Sequence, residues 1–230
     1  MTQHVLLNNI DHRDLTVETA RGAQYGDGIM AALTYPGEFR NVQAHYPIVF
    51  QKDARGDFQP VALFGLEADQ NLFLQGDTWD AYYVPLSVER QPFLIGMSDG
   101  EPMVHIDLDH PRVTAGTGQP LFREHGGTSE FLDRASSMLQ ALHEGLQATP
   151  AYIDALLKHD LLESFVLDVQ VDTDNHGRLA GYYTIHEERL AALDGTTLGE
   201  LAAAGHLEPT YMVLASTTRF RDLIERRRHA

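Results

Sequence analysis

The chain has 230 residues, and 43% of them are hydrophobic, which is enough to bury a core and too many for a disordered protein. Its formal net charge of −16 disfavours nucleic acid and anionic membranes as partners, because both carry negative charge. Cysteine is absent, which excludes disulfides, thiol nucleophiles and thiolate metal sites.

The N-terminal segment MTQHVLLNNIDHRD has no basic region and no long apolar run, so we expect no cleaved secretory signal. No apolar run reaches the roughly 18 residues of a transmembrane helix, so we expect no membrane insertion. These features favour a cytoplasmic location, with the cell surface, reached by an export route without a cleaved signal, as the alternative. Residues 5–7 are apolar and predict a short edge strand.

Residues 1–109 form an aromatic-rich region that predicts a mainly antiparallel sheet. Its short apolar runs, each closed by Gly, Pro or Asp, are residues 47–50, 61–74, 79–96 and 103–109. The polar stretch between residues 51 and 60 predicts a hairpin connection. Large rings concentrate in these runs, namely Phe50, Phe64, Phe73, Trp79, Tyr82, Tyr83 and Phe93. We therefore expect this region to build the core.

Residues 110–127 are rich in Gly and Pro and predict a connector, the best candidate for a subdomain boundary. Apolar residues then recur at helical spacing from Phe131 to Leu146, after a cap at Thr128 or Ser129. Thr149 and Pro150 resemble the start of a second helix. The sequence thus predicts a pair of antiparallel helices.

The last part of the chain predicts a second β-hairpin, with strands at residues 165–172 and 179–186 and a turn at residues 173–177. Short helices are predicted near residues 187–193 and 198–204, and a last strand at residues 211–216. The closing stretch RFRDLIERRRH predicts a basic helix whose arginines pair with carboxylates of this chain or of a partner. Together with the N-terminal sheet, residues 128–230 indicate an α+β fold and one compact unit.

Several stretches of the chain resemble the bacterial SapC family in the family's order. They are PIVF, ALFGLE, NLFL, WDAYYVPLSVERQPFLIG, LFREHGG, GYYTIHEERLAAL and the closing LAST with FRDLI. The family is named after a protein linked to a paracrystalline surface layer, and its members tend to be encoded beside outer-membrane nutrient-uptake and flavin-dependent halogenase genes. The resemblance therefore implies a role near the cell surface or nutrient uptake, and it assigns no catalytic residue.

The sharpest candidate for chemistry is His105 with Asp107, two residues apart at the end of a predicted strand. Alternate strand residues face the same side, so both side chains can reach one metal ion. A distant third histidine would complete the two-histidine, one-carboxylate set of iron(II) oxygenases that use a 2-oxo acid. The candidates are His186, His125 and His143. The alternative is a half-buried strand edge with His105 hydrogen-bonded to a neighbour.

Asp107 and Asp109 lie on the same predicted strand face as His105, and two close carboxylates can bind Mg²⁺ or Ca²⁺. The alternative is that Arg112 pairs with Asp109.

Arg90 is flanked by predicted strand residues, so we expect it to form a structural ion pair with Asp80 or Glu89. The alternative is a bidentate contact from Arg90 to a ligand carboxylate.

Three hypotheses for function follow. The first is a SapC-like interaction protein without catalysis or cofactor, acting as a homo-oligomer or with another protein in a cell-surface or nutrient-uptake system. The second is an oxygenase that uses Fe(II) or another divalent metal at His105 and Asp107. The third is an exported surface-layer component. No Walker loop, dinucleotide fingerprint or nucleophile elbow is present in the sequence, so whether the protein is an enzyme stays open.

Overall fold

The computed structural model of the protein describes residues 3–98, 100–170 and 176–229. The strands are β1 (His4–Leu6), β2 (Leu15–Val17), β3 (Ala31–Leu33), β4 (Ile48–Lys52), β5 (Phe58–Leu63), β6 (Leu74–Gln75), β7 (Thr78–Trp79), β8 (Phe93–Ser98), β9 (Glu101–Asp107), β10 (Val113–Ala115), β11 (Gln119–Pro120), β12 (Leu162–Gln170) and β13 (His176–Ile185). The helices are α1 (Phe39–Val42), α2 (Leu86–Glu89), α3 (Glu130–Lys158), α4 (Glu187–Ala191), α5 (Gly195–Ala203), α6 (Leu207–Ser216) and α7 (Arg219–His229). Antiparallel sheets with separate helices confirm the predicted α+β class.

The chain divides into two compact units, each built from several segments. The first unit contains residues 1–28, 74–79 and 86–144, and the second contains residues 29–73, 80–85 and 145–230. Residues 110–127, predicted as a connector, contain β10 and β11 and fall within the first unit.

The first unit is built around a three-stranded antiparallel sheet in the order β1-β9-β8. The predicted edge strand is β1, which pairs with β9. One face of this sheet packs on the apolar stripe of α3, because Phe93, Ile106, Leu132 and Leu139 share one buried cluster. The alternate residues of β9 therefore point to the opposite face of the sheet, away from this cluster.

The second unit is built around a five-stranded antiparallel sheet in the order β12-β13-β4-β5-β3. Its core contains the rings of Tyr46, Phe64 and Phe73, with centroids of Tyr46 and Phe73 4.7 Å apart in an edge-to-face arrangement. Such pairs stabilise a core beyond the area they bury. These three rings are fully or almost fully buried, so they help to hold the unit together.

The predicted helical pair is one continuous helix, α3, with Pro150 inside it. Leu139 is buried before the proline, and Tyr152 and Leu156 are buried after it. Proline removes one backbone hydrogen bond, but burial on both sides of it stabilises the continuous helix. The prediction of a break at Thr149 and Pro150 is therefore wrong.

The strand predicted at residues 211–216 is also wrong, since these residues belong to α6. Thr210, Val213 and Ser216 are buried at a spacing of three, which is the period of a helix face. Short apolar runs do not distinguish a buried strand from a helix.

The second hairpin is confirmed as β12 and β13, which pair from Leu162 with Ile185 onward. The predicted strand end at Val171 and Asp172 and the predicted turn at residues 173–175 lie outside the described residues. The predicted short helices are α4 and α5.

The basic C-terminal helix is α7, and two of its arginines form ion pairs with carboxylates of the same chain, as predicted. Arg226 lies 2.7 Å from Asp80, and Arg227 lies 3.1 Å from Glu67. In the part of the chain that the structure describes, no helix combines the length and apolar character needed to span a bilayer.

Candidate functional site

His105 lies on the outward face of the β1-β9-β8 sheet. It pairs in register with Leu6 on one side and Leu94 on the other, while its neighbour Ile106 faces the core. Its ring covers Gly96, where an added Cβ would lie 2.4 Å from Nδ1. Nδ1 lies 3.1 Å from the carbonyl oxygen of Met103. His105 is therefore a half-buried strand histidine that contacts a neighbour.

Asp107 shares this face, and the register of β1 with β9 places His4 opposite it. His4 Nε2 lies 3.8 Å from Asp107 Oδ2. Asp107 also accepts a hydrogen bond from the backbone N–H of Asp109. His4 carries no signal in the sequence for this site, because its position opposite Asp107 depends on the pairing of β1 with β9.

His186 belongs to the second unit, where it caps α4. Its Nδ1 accepts from the backbone N–H of Arg189 at 3.4 Å, and its Nε2 lies 3.9 Å from Glu163. Among the described residues, no group of three or more His, Asp or Glu side chains is arranged to hold a metal ion. A metal at His105 and Asp107 stays a prediction.

Arg112 forms an ion pair with Asp27 in the first unit, in which its Nη2 donates to both carboxylate oxygens, at 3.0 and 2.8 Å. Both are buried, with exposed fractions of 3% and 0%. The guanidinium also donates to the carbonyl oxygen of Glu18 and lies 5.1 Å from the ring centre of Tyr25. The predicted partner Asp109 is exposed on the surface. The expectation of an Arg112–Asp109 pair is wrong, because the charge of the buried Arg112 is matched by the equally buried Asp27 and not by the exposed Asp109.

Arg90 donates to the carbonyl oxygen of Phe93 at 2.6 Å, and burial lowers the pKa of its guanidinium. Of its two predicted partners, Glu89 pairs with Arg21, and Asp80 pairs with Arg226 of α7. The expected ion pairs of Arg90 are therefore replaced by a backbone contact.

The second unit holds a buried carboxylate of its own, Glu38. Its Oε2 accepts from Thr34 Oγ1 at 2.6 Å, and its Oε1 accepts from the hydroxyl of Tyr83 at 2.8 Å. Burial, reinforced by Glu38, raises the pKa of Tyr83. Tyr83 therefore stays a neutral donor and this cluster holds its hydrogen bonds inside the protein.

The second unit also contains an open groove of about 570 Å³, which we call the acidic groove. It lies between the β4–β5 hairpin and the second half of α3. Its lining residues are Leu33, Thr34, Asp53, Gly56, Asp57, Phe58, Gln59, Pro60, Leu146, Thr149, Pro150, Ile153, Asp154 and Leu157. This volume is in the usual range of ligand sites.

The hairpin side of the acidic groove is shaped by Asp53. Its Oδ1 accepts from the backbone N–H groups of Arg55 at 2.8 Å and Asp57 at 2.9 Å, and Gly56 adopts the left-handed φ of +92° that the turn requires. These backbone donors lower the pKa of Asp53. The turn therefore holds a persistent negative charge at the groove.

The helix side of the acidic groove is apolar and partly exposed. Leu146 and Leu157 keep 37% and 45% of their surface exposed, although Ile153 between them is buried. Apolar surface left open beside a groove is typical of a binding site.

The polar side chains at the acidic groove differ in whether they are satisfied. Thr34 donates to Glu38, and Thr149 donates to the carbonyl oxygen of Gly145 at 2.8 Å. By contrast, Asp57 and Asp154 are exposed, and neither forms an ion pair within residues 3–98, 100–170 and 176–229. The groove thus offers acceptors and its hydroxyl donors are already used.

Sequence reasoning predicted the hairpin and the helical residues of the acidic groove separately but did not join them. The hairpin and the helix meet at one groove only because α3 continues through Pro150. The cap pattern at Thr149 predicted a new helix there instead.

Comparison with known proteins identifies one matching protein family. The family model described as SapC matches residues 7–223 of the 230. No curated protein and no solved structure matches the chain.

Proposed function

Because the chain belongs to the SapC family, we propose that it is a non-catalytic accessory protein that binds another protein of a bacterial cell-surface or nutrient-uptake system. The family resemblance supports a role in a cell-surface or nutrient-uptake system, and the acidic groove supports the binding of another protein.

The observation that carries this proposal is the exposed apolar side of the acidic groove. Leu146 and Leu157 lie on one helix beside a groove large enough for several side chains of a partner. The buried ion pair of Arg112 with Asp27 and the buried cluster of Glu38 are satisfied internally and serve stability.

Affinity purification from the native bacterium tests the proposal. We expect the intact protein to recover a surface or nutrient-uptake protein that also binds it after both are purified. The double variant Leu146→Ser and Leu157→Ser should lose that partner. A control with Ile10→Ser and Met97→Ser, which changes two exposed apolar residues elsewhere, should keep it. Equal recovery by the groove variant would contradict the proposal.

The metal-dependent oxygenase is a second candidate, favoured by the shared outward face of His105 and Asp107. Elemental analysis of the purified protein tests it. Stoichiometric iron or manganese that is lost on His105→Ala would support it, and metal-free protein after incubation with Fe(II) would contradict it.

The proposal also includes self-association and a cellular location, and each is tested by a separate measurement. Light scattering would detect the homo-oligomer, for which the exposed Tyr82 and Tyr211 are candidate interface residues. Cell fractionation would separate a cytoplasmic accessory protein from an exported surface-layer component.

A further inference from the structure

We infer that the acidic groove recognises a segment of another protein in which an arginine or lysine lies next to apolar side chains. This inference rests on the proposed function and specifies the chemistry of the partner.

The first support is the balance of donors and acceptors. Thr34 and Thr149 use their hydroxyl hydrogens inside the protein, and the Gln59 amide lies 3.4 Å from Asp53. An anionic ligand would find few free donors at these side chains. A cationic ligand would meet the carboxylates of Asp57 and Asp154, which are both exposed residues.

The second support is charge complementarity. Three carboxylates, Asp53, Asp57 and Asp154, line one groove, and the whole chain carries −16. Lys52 precedes Asp53 in sequence, and its Nζ lies 5.0 Å from the ring centre of Phe58, which lines the groove. Lys52, Arg55 and Lys158 are exposed and none of them lines the groove, so within the described residues the lining carries three carboxylates and no basic side chain. The field at the groove therefore attracts a cation and repels an acidic segment.

The third support is the apolar surface between the charges. Leu33, Phe58 and Pro60 line the sheet side, and Leu146 and Leu157 line the helix side. Neighbouring apolar side chains of a partner would bury this surface, and the alkyl stem of its arginine or lysine would add contact area.

The occupant is a protein segment because the groove is open at its edges. Gly56, Asp57, Asp154 and Leu157 are all exposed, so the ends of an extended chain can leave the groove without being buried. An enclosed cavity would instead favour a small molecule.

Fluorescence anisotropy with short labelled peptides and the full-length protein tests the inference. The first peptide alternates leucine and arginine. Three matched peptides replace arginine by glutamine, arginine by glutamate, or leucine by glycine. We expect the leucine–arginine peptide to bind best and to weaken as sodium chloride rises, because salt screens exposed charge pairs.

The variant Asp57→Asn with Asp154→Asn should weaken binding of that peptide about tenfold, as expected for losing two exposed charge pairs. The variant Glu101→Gln with Glu200→Gln changes the net charge equally at exposed positions that do not line the groove. It should leave binding unchanged. Thermal unfolding of every variant shows that each is folded.

Each alternative result has a defined meaning. Equal binding of the glutamine or glycine peptide, or equal weakening by the Glu101 and Glu200 control, overturns the inference and leaves the proposed function standing. A dimer of this chain that Leu146→Ser and Leu157→Ser disrupt also overturns it, because the groove would then be self-occupied. Unchanged peptide binding and unchanged partner recovery in all groove variants overturn both proposals.

Discussion

The two units of this protein use carboxylates in opposite ways. In the first unit, Asp27 is completely buried and grips Arg112 through both oxygens. In the second unit, Asp57 and Asp154 are exposed at the acidic groove, beside the partly exposed Leu157. The first arrangement closes on itself, and the second is open to a partner.

This difference shows which carboxylates of the protein can still bind a ligand. A buried charge has a large desolvation cost, so it must be matched within the protein and its pair becomes structural. An exposed carboxylate has no such requirement and can keep its acceptor atoms for a ligand. Variants of the two regions should therefore separate stability from binding.

The largest effect is expected for Asp27→Asn. Removing this carboxylate leaves the guanidinium of Arg112 buried without its charge partner, which should lower the free energy of unfolding by about 3 to 5 kcal/mol. Urea unfolding measured by tryptophan fluorescence reports on this unit, because the only tryptophan of the chain, Trp79, lies in β7 of the first unit.

The matched control is Asp109→Asn, since Asp109 is the exposed carboxylate near Arg112 in sequence. Its free energy of unfolding should change by less than about 0.5 kcal/mol. Similar losses in both variants would mean that the buried pair is not the main support of this unit.

A smaller effect, again on stability, is expected for Gly145→Ala in the second unit. An added Cβ at this position of α3 would lie 2.2 Å from Cδ2 of the nearly buried Tyr35. The overlap should destabilise by about 1 to 3 kcal/mol, in spite of the better helix propensity of alanine. Thermal and urea unfolding followed by circular dichroism measure it.

Gly199→Ala in α5 provides the opposite control, because within the described residues its added Cβ meets no atom within 4 Å other than its chain neighbours and the backbone of its own helix. Alanine there should stabilise by about 0.5 to 1 kcal/mol. Stabilisation by both variants would contradict the tight packing of α3 on Tyr35.

Leu157→Ser should have little effect on stability, within about 0.5 kcal/mol, because its side chain is 45% exposed. It should nevertheless weaken binding of the leucine–arginine peptide. The comparison of its unfolding curve with its anisotropy titration separates the two roles. A large loss of stability would place Leu157 in the core and remove it from the binding surface.

Much of the fold was predictable from local patterns. Alternation in the second hairpin and the arginine-rich end of the chain led to β12, β13 and α7. The sequence predicted that the arginines of this basic helix would pair with carboxylates, since the chain is acidic. It did not predict that Asp80 is the partner of Arg226, because that pairing depends on the folded structure.

The errors share one physical cause, which is tertiary packing that overrides a local signal. Thr149 and Pro150 resemble a helix start, but burial of Tyr152 and Leu156 keeps α3 continuous. Arg112 was expected to pair with a sequence neighbour and instead reaches Asp27, far earlier in the chain. Both the buried pair and the acidic groove depend on such long-range contacts, so neither was predictable.

The smallest effect concerns Asp53, whose pKa is lowered by the backbone N–H groups of Asp57 and Arg55. A carboxyl with a lower pKa when folded adds stability that is fully present above its unfolded pKa and is lost as pH falls through its folded pKa. The melting temperature of the wild-type protein should therefore exceed that of Asp53→Asn by a constant amount near neutral pH. The gap should narrow only as pH falls through and below the ordinary value of 3.8. A gap that stays constant down to the lowest pH at which both proteins fold would show that the charge of Asp53 does not hold the turn. The hairpin side of the acidic groove would then depend on Gly56 and the strand register alone.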